Sequence, residues 1–154
     1  MSDFEIWTDG GCVPNPGIGG YGIIIKNNVT QEESERERKI KQGFKKSTNN
    51  RMELLAVIEA LRKIPEKSSV KLYTDSTYVV NHVNKGEKES NNHDLWELFH
   101  EVMENRNSVE IVWVDAHNEA EEDELHKNNN RCDRMVHEAR EGELIVDEGY
   151  KSKS

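Results

Sequence analysis

The sequence predicts an α/β domain, a five-stranded mixed sheet flanked by helices. Three observations carry this prediction. Apolar runs with strand character recur at 3–9, 21–27, 70–75 and 109–117. Stretches with helical apolar spacing fall at 47–65, 94–104 and 128–140. The resulting order is three strands, a helix, a strand, two helices, a strand and a final helix. Helices thus separate the later strands, as a mixed sheet covered by helices requires.

Residues 3–9 (DFEIWTD) alternate and form the first strand, and GGCVPNPGIGG is a turn rich in Gly and Pro. YGIIIKN is mostly apolar, a buried second strand. Residues 34–45 form a third. Its ESERERK portion would by itself suit a helix, but Gly43 and the helix that follows favour a strand. In STNNRMELLAVIEALRKIP, Thr48, Asn49 and Asn50 are candidate N-caps and Pro65 is the stop. Met52, Leu55, Ile58 or Glu59, and Leu61 give that helix a broad apolar face. VKLYTD is the fourth strand and STYVVNHVNKG a short helix after it. Leu95, Leu98, Phe99 and Val102 repeat at helical spacing, VEIVWVDAH is the fifth strand, and Cys132, Met135, Val136 and Ala139 mark the final helix.

The chain has 154 residues, a net charge of -9 and 34% hydrophobic residues. That is the size of one domain, placed here at 1–147 with a short C-terminal tail at 148–154. Val, Ile, Leu and Phe make up about 22% of the chain, just above the level at which a high net charge means disorder. No run of about 18 apolar residues supports a membrane span. The N-terminus has no basic stretch followed by an apolar one, so no secretory signal is visible. Cys12 and Cys132 form no framework of the secreted type, so reduced thiols and a cytoplasmic location are expected. Cys132 with His126 and His137 matches no common zinc spacing.

A charge of -9 alone argues against a polyphosphate partner, but the charge is unevenly spread. Residues 26–51 carry +4, while 76–116 and 117–154 carry -5 each. The basic stretch of Arg36, Arg38, Lys39, Lys41, Lys45, Lys46 and Arg51 reads either as a solvated face or as a phosphate-contacting edge.

Four carboxylates stand at element ends. Asp9 ends the first strand and Asp75 the fourth. If those strands are parallel neighbours, both acids lie at one sheet edge, where α/β sheets place ligand and metal sites. Glu53 and Asp133 fall in the first turns of two helices, where the helix dipole alone accounts for an acid. Together, clustered carboxylates repel unless a cation neutralises them. A few negative oxygen ligands suit Mg²⁺, and two such ions serve in-line phosphoryl displacement.

TDGGCVPNPGIGGYG, TNNRMELLA, YTDSTYVV, WVDAH and NNRCD, in this order, resemble the motif set of type 1 ribonuclease H, in a likeness from Phe4 to LIVDEGY. The resemblance implies a ribonuclease H-like fold, three antiparallel strands followed by parallel ones. It also implies a free-standing endonuclease that hydrolyses the RNA strand of RNA–DNA hybrids, leaving 5′-phosphate and 3′-hydroxyl ends. By motif, Asp9, Glu53, Asp75 and Asp133 are the catalytic metal ligands. They would hold two Mg²⁺ ions with substrate, with Mn²⁺ as a substitute, and Asp9 would bridge them. His117 matches a histidine that assists proton transfer or product release. Cys12, Asn15, Asn49, Asn50 and Ser76 match positions along the hybrid's minor groove, where short polar groups read 2′-hydroxyls. Thr48 and Lys46 match a pocket for a DNA-strand phosphate, with Lys45 and Arg51 against the same backbone. The hybrid is the implied partner, and a monomer without an obligatory protein partner is expected.

The chain departs from the family pattern in places. Only NHVNKGEKESNNH stands where many bacterial members carry a basic protrusion, and Gly86 falls about where an aromatic residue lines the DNA groove. Thr77 replaces a commoner Gln and Asn130 a common Glu. The segment between His117 and Asp133 is longer and acidic at 119–124. These departures imply fewer phosphate contacts and a shallower salt dependence of binding. An inactive hybrid-binding module and another two-metal nuclease, such as a resolvase or transposase core, share parts of the pattern. Retention of all four carboxylates speaks against the first, and TNNRMELLA with NNRCD against the second.

Overall fold

The computed structural model describes residues 2–86, 91–106, 108–115 and 123–150. Among these residues, six strands form one sheet: β1 (Phe4–Val13), β2 (Gly17–Asn27), β3 (Glu37–Ser47), β4 (Ser69–Thr74), β5 (Ser108–Trp113) and β6 (Leu144–Ile145), in the order β5-β4-β1-β2-β3-β6. β1, β2 and β3 pair antiparallel, and β4 and β5 add parallel to β1. The five expected strands are therefore present, and the count is corrected to six by β6. This two-residue strand lies parallel to β3 at Gly43 and Phe44 and is too short to show a periodicity.

Among the described residues, four α-helices cover the sheet: α1 (Asn49–Arg62), α2 (Thr77–Asn84), α3 (His93–Glu104) and α4 (Glu124–Glu141). The larger core lies where α1, α2 and α3 meet Ile6, Ile23, Ile25, Leu72 and Ile111. The alternate residues Trp7, Ile24 and Tyr73 pack with Cys132 and Met135 of α4. The period-two alternation of the strands thus builds both layers. α1 buries Met52, Leu54, Ala56, Val57, Ile58, Ala60 and Leu61 completely. The sheet lies on one side of it and α3 on the other, so its apolar face wraps further round than the four positions read from spacing.

Helix starts follow the caps. The Thr48 hydroxyl accepts from the Arg51 N–H and opens α1, and Ser76 accepts from Val79 N–H and opens α2. α4 begins earlier than expected. The Asp123 carboxylate accepts from the His126 N–H, and Glu124 pairs with Lys26 of β2 at 2.9 Å. The carboxyl end of the acidic insertion is therefore a helix cap and an ion pair, not loop. Residues 116–122, which include His117 and the rest of that insertion, lie outside the described residues.

Candidate active site

The parallel pairing of β1 with β4 ends at Thr8 opposite Thr74. Asp9 and Asp75 are the next residues on each chain, side by side at the carboxyl edge. β1 itself continues to Val13 as half of a hairpin with β2, so Asp9 does not end a strand. It stands where the strand loses its parallel neighbour, and that frees its side chain for a ligand.

Two helices bring the other acids to this edge, each past a glycine. A Cβ on Gly10 would lie 2.5 Å from the carbonyl carbon of Met52 and 2.7 Å from the nitrogen of Glu53. The missing side chain lets α1 rest on β1 and sets Glu53 beside Asp9. Gly22, paired with Asp9 across the hairpin, would have its Cβ 2.7 Å from the Cys132 carbonyl oxygen. Its bareness admits α4, and with it Asp133. Neither acid is in a first turn. Glu53 is the fifth residue of α1 and Asp133 the tenth of α4, so the helix dipole, which fades within one turn, does not account for either.

Asp9, Glu53 and Asp75 each offer an oxygen within 4.8 Å of the others. Asp9 is buried, and burial, then the charges of Asp75 and Asp133, push its carboxyl well above the usual range. Glu53 is raised likewise, by burial and then by Asp9 and Asp75. Its Oε2 is closed to solvent and has no hydrogen-bond partner. A closed-off carboxylate oxygen inside an oxygen-only, negative donor set fits a hard divalent cation, which would supply the missing partner and cancel the repulsion. The alternative set of Cys132, His126 and His137 is not assembled: the Cys132 thiol is buried against the Trp7 carbonyl and His126 faces Asp123.

A cleft of about 460 Å³ opens over the acids. Of the residues read from the sequence, Asp9, Glu53, Asp75, Asp133, Cys12, Asn49, Asn50 and Ser76 line it. The Asn49 Oδ1 accepts from Cys12 N–H at 2.8 Å, and Asn15 Oδ1 accepts from Asn49 N–H at 3.0 Å. Asn15 thus ties the hairpin to α1 from outside the cleft wall. Burial pushes the Cys12 thiol up to about 11, so it stays protonated. Lys46 and Thr48 lie beyond the lining, at the entry to α1.

Arg51 is a correction. Placed from the sequence against backbone phosphate, it is buried, with its guanidinium donating to Asp94 at 2.8 and 2.9 Å and to Asp147 at 2.9 and 3.0 Å. The Ser47 hydroxyl donates to Asp147 at 2.6 Å. Burial opposes the Arg51 charge, but these carboxylates outweigh it and raise its pKa. Its fifth N–H donates to Asn92 Oδ1 at 3.2 Å, so Arg51 is a structural ion-pair centre with no donor left for a ligand.

Tyr78, His137 and Arg140 also line the cleft, and sequence reasoning missed them. Tyr78 is fixed by its hydroxyl, which accepts from Trp96 Nε1 at 2.8 Å and donates to Asn91 at 2.9 Å. His137 and Arg140 fall four and seven residues after Asp133 on α4, so helical spacing from that acid would have found them.

Fold and site define a class: a mixed α/β domain with an acidic centre at the carboxyl edge of its parallel strands. Residues 1–141 match the RNase H family model, and the chain belongs to the ribonuclease H family. It is 38% identical to a ribonuclease H of Pseudoalteromonas atlantica over 98% of this chain and 99% of that one. A ribonuclease HI of Synechocystis is 36% identical over 94% and 92%. In fold, it is similar to the N-terminal RNase H domain of a Mycobacterium tuberculosis protein (TM-score 0.73, 21% identity, 92% and 95% covered). It is also similar to LC11-RNase H1 in complex with an RNA/DNA hybrid (TM-score 0.69, 23% identity, 90% and 96% covered).

Proposed function

We propose that this protein is an endonuclease that hydrolyses the RNA strand of RNA–DNA hybrids. The observation that carries it is the oxygen triad of Asp9, Glu53 and Asp75, with Asp133 across the cleft, in a member of the ribonuclease H family. These four residues would hold Mg²⁺, or Mn²⁺ in its place, two ions with substrate. The bound cations would activate water for in-line attack and stabilise the leaving 3′-oxygen, giving 5′-phosphate and 3′-hydroxyl ends.

The chain's own residues set where the scissile phosphate sits. Gly10 and Gly22 fix the spacing of the acids by letting α1 and α4 approach. Asn49 and Asn50 at the start of α1, with Ser76 at the start of α2, present short polar groups along the cleft, where 2′-hydroxyls of a hybrid's minor groove would lie. Lys45, Lys46 and Thr48 flank the DNA strand. His117 is assigned to proton transfer or product release on the motif alone. Free, buried Cys12 and Cys132 support a reducing, cytoplasmic setting. No described helix is long and apolar enough to cross a membrane.

The test is cleavage of end-labelled RNA–DNA hybrid, duplex RNA, duplex DNA and branched DNA with Mg²⁺. Cleavage confined to the hybrid's RNA strand is expected, and Asp9→Asn should abolish it while hybrid binding persists. Normal turnover by that variant would overturn the metal assignment, and cutting of branched DNA in preference to hybrid would overturn the substrate.

A further inference from the structure

Among the described residues lining the cleft, Arg140 is the one Lys or Arg. It sits in the last turn of α4. No carboxylate among the described residues pairs with it, whereas Arg62 and Arg131 are each held by one and Arg51 by two. Its Nη2 donates to His137 Nδ1 at 2.6 Å. With Nδ1 accepting, the imidazole proton lies on Nε2, the atom 3.8 Å from Asp133 Oδ2. Arg140, His137 and Asp133 therefore form a line down one face of α4, starting at an acid of the catalytic centre. Across the cleft, the Arg140 charge acts on Cys12, where it opposes the effect of burial on the thiol.

We propose that Arg140 is a phosphate-contacting residue for the RNA strand. The inference rests on the hybrid reading above. Arg140 follows Asp133 by seven residues, about 10 Å along the helix. Side chains on a helix lean toward its N-terminus, so the guanidinium leans back toward the acids. At a rise of about 3.4 Å per nucleotide, it meets a phosphate within about three nucleotides of the scissile bond. The planar fork spends one arm on His137 and keeps N–H donors for two phosphate oxygens. In a cleft with four carboxylates, this cation gives the non-scissile backbone a counter-charge that the metal site does not provide.

A basic residue in a last helical turn also complements the helix dipole, so the test separates contact from stability. Hybrid binding is measured in the Asp9→Asn background from 50 to 200 mM salt, with Arg140 intact and as Arg140→Ala, Arg140→Gln and Arg140→Lys. Expected is about tenfold weaker binding for Ala and Gln. The slope of log K against log salt should become shallower by about one for both, and Lys should keep the slope. Single neutral methylphosphonate linkages are then scanned along the RNA strand near the cleavage site. At one position the neutral linkage should weaken binding by the protein with Arg140 and leave the Ala variant unaffected. An unchanged affinity and slope, or an Ala penalty equal at every neutralised RNA phosphate, would overturn the assignment of Arg140 alone. Failure of the wild type to cleave hybrid would overturn the hybrid reading and this inference with it.

Discussion

Asp9, Glu53 and Asp75 are held at a separation their own charges oppose, and burial deepens the conflict. A protein without cations carries that repulsion as lost stability, which is the usual cost of a functional site. Glu53→Gln should therefore raise Tm in chelator-treated buffer by a few degrees, at about 2–4 °C per kcal/mol for a chain of this size. The wild type should gain Tm with added Mg²⁺ through binding linkage, and Glu53→Gln should lose most of that gain. Calorimetry with and without Mg²⁺ reads both effects. Gly10→Ala belongs to the same scale, because its new methyl meets helix backbone, not a side chain that can turn away. It should destabilise by about 1–3 kcal/mol, as overpacking does, and abolish the Mg²⁺-dependent Tm gain by shifting Glu53. Denaturant unfolding beside the Mg²⁺ titration checks it. Asp9 and Asp75 were legible because each follows an apolar run. Glu53 and Asp133 were legible as acids but not in their places, since what sets them is the approach of a helix to a bare glycine, a contact with no signature along the chain.

Between elements, the buried pair of Arg51 and Asp147 joins α1 to the chain after β6, and Asp94 adds the start of α3. A Cβ on Gly149 would strike Asp94 and Arg51, so the chain after Asp147 closes directly over this network. Truncating Asp147 leaves Arg51 buried without its inner partner, and Asp147→Ala should cost about 3–5 kcal/mol. Asp94 is half-exposed, so Asp94→Ala should cost about 1 kcal/mol or less. Urea unfolding of both variants measures the contrast. The pH dependence follows from the same contacts. Hydrogen bonds from Arg51 hold Asp94 below the usual carboxylate range; for Asp147, burial pulls the other way, but Arg51 and Ser47 outweigh it. Their contribution is complete above the unfolded value near about 3.9, and it fades as pH falls from there through the depressed folded values. Asp147→Asn should accordingly differ most from wild type near neutral pH, with the gap closing in acid. None of this was legible, because Arg51 meets Asp94 and Asp147 across 43 and 96 residues, and an Arg in a basic stretch reads as surface. By contrast, α1 and α2 were well placed, since Thr48 and Ser76 are caps directly ahead of apolar spacing. α4 was placed late because its first two turns hold a single apolar residue, Leu125, too few to show a spacing, and its cap, Asp123, is hidden in a run of acids.

For the whole molecule, the question is how a chain of net charge -9 grips a polyanion. The register shows which cations can help. Asp9 is level with Gly22 and, through it, with Lys41, whereas Lys39 is level with Trp7 and Arg38 with Ile6. Arg38 and Lys39 therefore lie on the far side of Asp9 from the hairpin and Asn49, along an exposed edge where charge discourages strand pairing. Lys41 is paired with Glu138, Lys26 with Glu124, Arg131 with Glu37, and Arg51 is buried. The proposed phosphate contacts are then Lys45 and Lys46, which precede α1, and Arg140, which lines the cleft. Three phosphate contacts give a slope of log K against log salt of about -3, where six to ten contacts give about -5 to -9. Hybrid binding by the Asp9→Asn protein, followed by fluorescence anisotropy from 50 to 200 mM KCl at fixed Mg²⁺, should show the shallow value. Replacing Lys45 and Lys46 together with Gln should bring the slope to about -1, with weaker binding at 50 mM and a smaller difference at 200 mM. A slope steeper than about -5 for the Asp9→Asn protein with both lysines intact would show that cations beyond these three carry the grip. It would also remove the reason for expecting an enzyme that holds its hybrid lightly and relies on bound metal to tolerate phosphate among its carboxylates.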